Sequence, residues 1–245
     1  SQNTSPSHVF GNTGIYQIQL VAKTNRNCLD TIVKSIEVYH KPNAVLTVNN
    51  AAQCFNTQNF VFTGNSSIIS GSIDQYEWDT SNQSFFGSKD TVLTFPTPGK
   101  YTITYVPISN QQFRDTAYLP IVVNPNPVAD FSINDTLQCA NSNNFIFLQN
   151  ASIIYGNLDY NWYLDNLFEA QGSGFNKTFA QADTILTKLV VNSDKGCVDS
   201  SIKTIYISPI PKTDFAINNE GQCLYVNLFK FSNLSNIADG TLKYI

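Results

Sequence analysis

Apolar and polar residues alternate with a period of two along most of the chain. In "NFVFT", residues 59–63, Phe60 and Phe62 fall on one side and Val61 on the other. In "DQYEWD", residues 74–79, Tyr76 and Trp78 do the same. Side chains two apart share one face of a strand, so such runs predict half-buried β-strands. Helical spacing is weak throughout. The runs are bounded by Asn, Gly, Ser and Pro, which make turns. Seven strands follow for the first full stretch: A over 43–48, B over 59–63, C over 74–79, a weak D near 83–86, E over 91–95, F over 100–108 and G over 115–123. The same order returns as "VADFSI", "NFIFLQ", "LDYNWYL", a weak D, "DTILTKLVVN" and "DSSIKTIYI".

That return is a repeat. Gln53-Cys54 recurs as Gln138-Cys139 and Gln222-Cys223, at offsets of 139 − 54 = 85 and 223 − 139 = 84. Phe60-x-Phe62 recurs as Phe145-x-Phe147 and Phe229-x-Phe231, and Tyr76-x-Trp78 as Tyr160-x-Trp162. Pro42, Pro127 and Pro211 fall on the same period. The period divides the chain into the C-terminal half of a repeat (1–42), two full repeats (43–127 and 128–211) and the N-terminal half of another (212–245). Evenly spaced strands in units of this size predict tandem immunoglobulin-like β-sandwiches, an all-β linear array. The chain reads as a window on a longer protein.

Composition narrows the setting. Net charge is −4 and only 13% of residues are charged, so the basic stripe that nucleic acid requires is missing. No run approaches the length of a membrane-spanning helix, so no membrane insertion is expected. Five cysteines on a repeat period, no Met and abundant Asn, Ser and Thr suggest an exported protein with a disulfide framework. Buried free cysteines are the alternative.

The aromatic residues have structural readings. Trp78 and Trp162 sit on strand C, where such sandwiches bury a Trp, with Tyr76 and Tyr160 on the same face. Tyr16 and Tyr101, each two residues after a Gly at the start of strand F, stand in the place of a tyrosine corner. The second repeat departs, with Asp183 and Ile185 there. Phe85, Phe86 and Phe168, in the variable region after strand C, are the candidate ligand contacts.

Pro127-x-Ala129-x-Phe131, Cys139, Phe145-x-Phe147, Asn150-x-Ser152, Tyr160-x-Trp162 and Cys197-x-Asp199 together resemble the PKD domain. The first repeat matches through Pro42-x-Ala44, Cys54, Asn65-x-Ser67, Tyr76-x-Trp78 and Gly99-x-Tyr101. The array is similar to the cysteine-bearing PKD arrays of Bacteroidetes cell-surface proteins, and within them to SprB-like gliding-motility adhesins. The resemblance implies an extracellular, surface-exposed stalk carried out by type IX secretion. It also implies partners among neighbouring repeats, surface glycans or other surface proteins. The family's acidic glycine turn after the Trp is replaced by "WDTSNQS" and "WYLDNLF", so an ion site at that turn is not expected. PKD domains also flank secreted hydrolases, which leaves an accessory role as an alternative.

Catalytic patterns are lacking. His8 and His40 are the only histidines, and no recurring Ser/His/Asp set, Cys-x-x-Cys or phosphate loop accompanies them. The expectation is no enzyme and no cofactor. Calcium at a domain junction is the alternative for carboxylates such as Asp130 and Asp214. Asp30, Asp115 and Asp199, each followed by Thr or Ser, predict closure of the F–G turn through backbone N–H groups.

Cysteine pairing has three registers. Pairing within a repeat joins Cys139 to Cys197 and leaves Cys54 opposite Phe113. Pairing along the sequence joins Cys28 to Cys54 and Cys197 to Cys223. Pairing across repeats joins Cys54 to Cys197. In a sandwich the A–B and F–G loops lie a strand length apart, roughly 20 Å, whereas a disulfide needs Cα atoms within about 7 Å. The inter-repeat bond Cys54–Cys197 is therefore preferred, with Cys139–Cys197 as its rival.

Overall fold

In a computed structural model, which describes residues 5–81 and 83–244, β-strands follow one another from Gly14 to Asn233, with a short 3-10 turn at Phe55–Thr57. It divides into two compact units, Ser1–Val123 and Asn124–Ile245.

The first unit begins with a hairpin, β1 (Gly14–Lys23) and β2 (Leu29–Val38). A sandwich of two sheets follows. One has the order β3 (Leu46–Val48), β5 (Phe60–Gly64), β8 (Thr91–Leu93). The other has the order β4 (Ala52–Cys54), β10 (Ala117–Asn124), β9 (Gly99–Ser109), β6 (Ile73–Asp79), β7 (Ser84–Gly87). The inward residues of the alternating runs meet between the sheets: Phe60, Phe62, Trp78, Ile103, Tyr105, Ile121 and Val123 form one buried cluster. Trp78 lies 4.7 Å from Tyr105 by ring centroids, and Tyr76 stacks on Tyr105 at 5.8 Å. The indole N–H of Trp78 donates to the Ser88 carbonyl at 3.0 Å, so the one polar atom of this ring is satisfied inside the core.

The second unit repeats the plan. Its three-stranded sheet is β11 (Phe131–Ile133), β13 (Phe145–Gln149), β16 (Gly174–Lys177). Its five-stranded sheet is β12 (Leu137–Cys139), β18 (Val198–Ser208), β17 (Asp183–Ser193), β14 (Leu158–Leu164), β15 (Leu167–Gln171). Trp162 is enclosed by Phe131, Phe147 and Phe175 at 5.2, 6.2 and 5.5 Å, and its N–H donates to the Gly172 carbonyl at 2.9 Å. A two-stranded pair, β19 (Phe215–Ile217) and β20 (Phe231–Asn233), ends the unit.

Three details differ from the sequence expectation. The weak strand D is β7 in the first sandwich and pairs with β6, so it is an edge strand on the five-stranded sheet beside strand C. The A–B connection contains a strand, β4 or β12, that crosses to the other sheet and lies beside strand G. Strand E of the second sandwich is β16, against β13.

One core position is chemically odd. Thr187 is fully buried and its hydroxyl has no partner, whereas Ile103 stands 84 residues earlier in the other sandwich. A buried hydroxyl without a hydrogen bond costs about 1–3 kcal/mol. Thr187→Val, which keeps the shape, is expected to raise the unfolding free energy of the second unit by about 1–2 kcal/mol; denaturant titration checks it.

Candidate functional site: the cysteine poles of the sandwich

Each cysteine sits on a short, polar-clamped loop at one pole of a sandwich. At the F–G pole, three turns share one geometry. Ser193 N–H donates to the Cys197 carbonyl at 2.8 Å, and Gly196 N–H to the Ser193 carbonyl at 2.9 Å. The Ser193 hydroxyl accepts the Cys197 N–H at 3.0 Å. Thr24 does the same for Cys28 at 3.2 Å and Ser109 for Phe113 at 3.1 Å. The residue before each is left-handed: Asn27 at φ 64°, Gln112 at φ 65° and Gly196 at φ 77°. This is the type I turn plus left-handed residue of a short hairpin loop. It fixes the direction of the next side chain.

At the A–B pole the clamp is an Asn–Gln pair. Asn49 Oδ1 accepts the Val61 N–H at 3.1 Å and Gln53 Oε1 the Asn59 N–H at 2.7 Å. Asn134 and Gln138 accept from Ile146 and Asn144 at 2.9 and 2.8 Å. Asn218 accepts from Lys230 at 2.9 Å, and Gln222 from Leu228. The loop is thereby pinned across its neck, and the residue after each Gln is Cys54, Cys139 or Cys223.

The two poles are far apart within a sandwich. Strand β12 runs parallel to β18 with Cys139 opposite Ser208, the last residue of β18. Cys197 immediately precedes Val198, the first. From 198 to 208 are ten steps of β-strand, roughly 33 Å, longer than expected from a typical strand. A bond within the repeat would need its Cα atoms within about 7 Å. Consistent with this, Cys139 is an exposed free thiol, as are Cys28 and Cys223. Cys54 and Cys197 are disulfide-bonded. With Cys28, Cys139 and Cys223 free, the rival pairing Cys139–Cys197 is not formed here, and neither are Cys28–Cys54 and Cys197–Cys223.

Phe113 occupies the F–G position that holds cysteine elsewhere. It is 42% exposed, and its ring centroid lies 6.1 Å from that of Tyr39, the residue after β2. Beside it, His40 contacts the hydroxyls of Thr13 at 2.8 Å and Ser70 at 3.1 Å. An aromatic and polar joint stands there in place of a covalent one.

The aspartates beside the F–G poles reach further than their own turn. Asp115 accepts the Ala44 N–H at 2.8 Å and pairs with Lys41 at 2.7 Å. Asp199 accepts the Ala129 N–H at 2.8 Å. Each ties the start of strand A to strand G. The Lys41 ammonium, then the Ala44 N–H, holds the Asp115 carboxyl below the usual aspartate range. A depressed folded value means that its stabilisation is present above the unfolded pKa, about 3.9, and is lost as pH falls through the lower folded value. The stability of the first unit should therefore decline below about pH 4, and less steeply in Asp115→Asn; denaturant titrations at stepped pH check this.

The aromatic candidates separate. Trp78 and Trp162 are fully buried, and Tyr76 and Tyr160 pack against the cores. Tyr16 and Tyr101 donate their hydroxyls to the carbonyls of Asn12 and Thr97, both at 2.8 Å, which makes each a tyrosine corner. Phe85, paired with Trp78 across β6 and β7, packs against the core, so period two removes it from the ligand-contact set. Phe86 and Phe168 are exposed, and Phe168 meets Tyr163 edge-on at 5.8 Å. Among the described residues no group of three or more His, Cys, Asp or Glu side chains converges as metal ligands would. Among them, too, no helix is long and apolar enough to cross a membrane.

The periodic Asn49, Asn134 and Asn218, and the hydroxyls of Thr24, Ser109 and Ser193, escaped the sequence reading. Both sets recur on the 84–85-residue period, which is the signal that could have found them.

The chain matches no protein-family model and no curated protein sequence. Among solved structures it is similar to the fibronectin(III)-like modules of Clostridium thermocellum CbhA, with TM-score 0.36 and 11% identity, over 67% of this chain and 95% of that one. It is similar to a 1.5-MDa bacterial ice-binding adhesin, with TM-score 0.35 and 4% identity, over 80% and 74% of the two chains. It is also similar to a tetra-tandem repeat from the extending region of a large adhesion protein, with TM-score 0.30 and 10% identity, over 85% and 60%. The β-sandwich assignment rests on the sheets described above.

Proposed function

We propose that the chain is a non-catalytic stalk segment of a long extracellular cell-surface adhesin, built from PKD-like repeats at 43–127 and 128–211 with half-repeats on either side. The observation that carries this reading is the disulfide state: Cys54 and Cys197 are bonded while Cys28, Cys139 and Cys223 are free. The bond assigned to them, Cys54–Cys197, joins the A–B pole of one repeat to the F–G pole of the next. Motion between domains is the default, and such a staple restrains it at the "NPNPVADF" linker, where Pro125 and Pro127 already fix the backbone. Surface attachment, including gliding motility after type IX secretion, is the setting this reading gives the stalk. No cofactor enters it. Neighbouring repeats are its first partners, and the exposed Phe168, set edge-on against the half-buried Tyr163, is an aromatic surface open to a glycan or protein.

A staple of this kind also limits how far the chain unravels under load, because force passes from residue 54 to residue 197 directly. It shields 197 − 54 = 143 residue steps. Pulled by its ends in single-molecule force spectroscopy, the fully unfolded chain is expected to lengthen by ~500 Å when reductant is added. Equal contour lengths with and without reductant would refute the stapled stalk.

A further inference from the structure

We propose that the stapled chain carries tension along a covalent spine of two segments that are already extended, 44–54 and 197–208, and leaves both sandwich cores unloaded. The proposal rests on the stapled-stalk reading above and names the residues that bear the force.

The A segment of each sandwich runs beside strand G without slack. In the first sandwich Asp115 accepts the Ala44 N–H at 2.8 Å, and the Val122 N–H donates to the Ala51 carbonyl at 2.7 Å. Between these two bonds the segments match step for step: 51 − 44 = 7 and 122 − 115 = 7. In the second sandwich Asp199 accepts the Ala129 N–H, and the Tyr206 N–H donates to the Thr136 carbonyl at 2.8 Å. The match returns there: 136 − 129 = 7 and 206 − 199 = 7. Seven steps of β-strand cover roughly 23 Å. Seven steps of chain reach at most ~25 Å when pulled straight. The A segment therefore hides almost no length.

The two bonded cysteines lie at the ends of such segments. Cys54 is the last residue of β4, three steps after Ala51. Cys197 immediately precedes β18. Tension on the chain follows 44–54, crosses the sulfur–sulfur bond and runs along β18 from Val198 to Ser208. Strand β18 is then held at both of its own ends. Its ladder with β17 lies across the direction of pull and bears none of it. Without the bond, tension enters the second sandwich at strand A and leaves at strand G. The pairing of β12 with β18, and the core between the sheets, would then have to hold it.

Trp78 and Trp162 lie in the shielded stretch 55–196, as do the exposed Phe86 and Phe168. The outer surfaces of both sandwiches thus keep their shape while the stalk is under tension, and a ligand held there is not released by stretching.

Force spectroscopy of the 245-residue protein, held by its two ends, tests the spine. Wild type is compared with Leu189→Ala and the milder Val191→Ala, both fully buried in β17 and off the spine. Oxidised, all three proteins are expected to give the same lengthening steps at the same forces. In reductant, wild type should gain the steps of the sandwiches, and each variant should shift one of them to lower force. A step in the oxidised chain whose force depends on residue 189 or 191 would overturn the spine while the staple stands. Identical traces in the two conditions would overturn the staple itself, and the spine with it.

Discussion

Replacing Cys54 and Cys197 together by serine is expected to lower the stability of the chain by about 2–5 kcal/mol. The upper figure comes from loop length. Closing a loop of 143 steps restricts the unfolded chain by about 5 kcal/mol on the chain-entropy scaling. The lower figure allows for residual structure in the unfolded state. The loop spans parts of both repeats, so the loss should appear in the unfolding of both units. Thermal denaturation of wild type and C54S/C197S checks this, with wild type in reductant expected to match the variant. Substituting Cys139 should change little, because its thiol is exposed and free.

Trp162→Ala is expected to cost about 3–5 kcal/mol in the second unit alone. The ring is fully buried and bridges the two sheets, touching Phe131 and Phe147 on one and lying in β14 of the other. Its removal leaves a cavity that the surrounding phenylalanines, themselves fixed by strand pairing, fill only in part. It also orphans the Gly172 carbonyl that the indole N–H satisfies. Trp78→Ala should do the same to the first unit through Ser88. Denaturant titration of each variant should show one unit lost before the other. An effect below about 1 kcal/mol would mean that the core is not organised around the Trp.

The core was legible in the sequence because a period of two is a direct record of which face a strand buries. Phe60-x-Phe62 and Tyr76-x-Trp78 repeat that record, and each pair lies on the inward face. The same rule, applied to Phe85, would have moved it inward beside Trp78, since the two are cross-strand partners. The crossing strands β4 and β12 were hidden for another reason. At three residues, "AQC" and "LQC" are too short to show alternation, and their pairing with strand G is a tertiary event. The edge strand β7 has the same cause, because which sheet takes an edge strand is not written in its own residues. The cysteine poles were legible as periodic Cys and Gln. The Asn49, Asn134 and Asn218 half of the clamp was lost among the many asparagines that mark ordinary turns. Thr187 is the opposite case. It sits at an inward position, yet its polarity gives no sequence sign that the hydroxyl is left without a partner.

Peptide mapping of the non-reduced protein tests the stapled stalk most directly. Proteolysis under conditions that block thiol exchange is predicted to yield a single disulfide-linked pair, containing Cys54 and Cys197, with Cys28, Cys139 and Cys223 recovered as alkylated thiols. A linked pair containing Cys139 and Cys197, or Cys54 recovered alkylated, would contradict it.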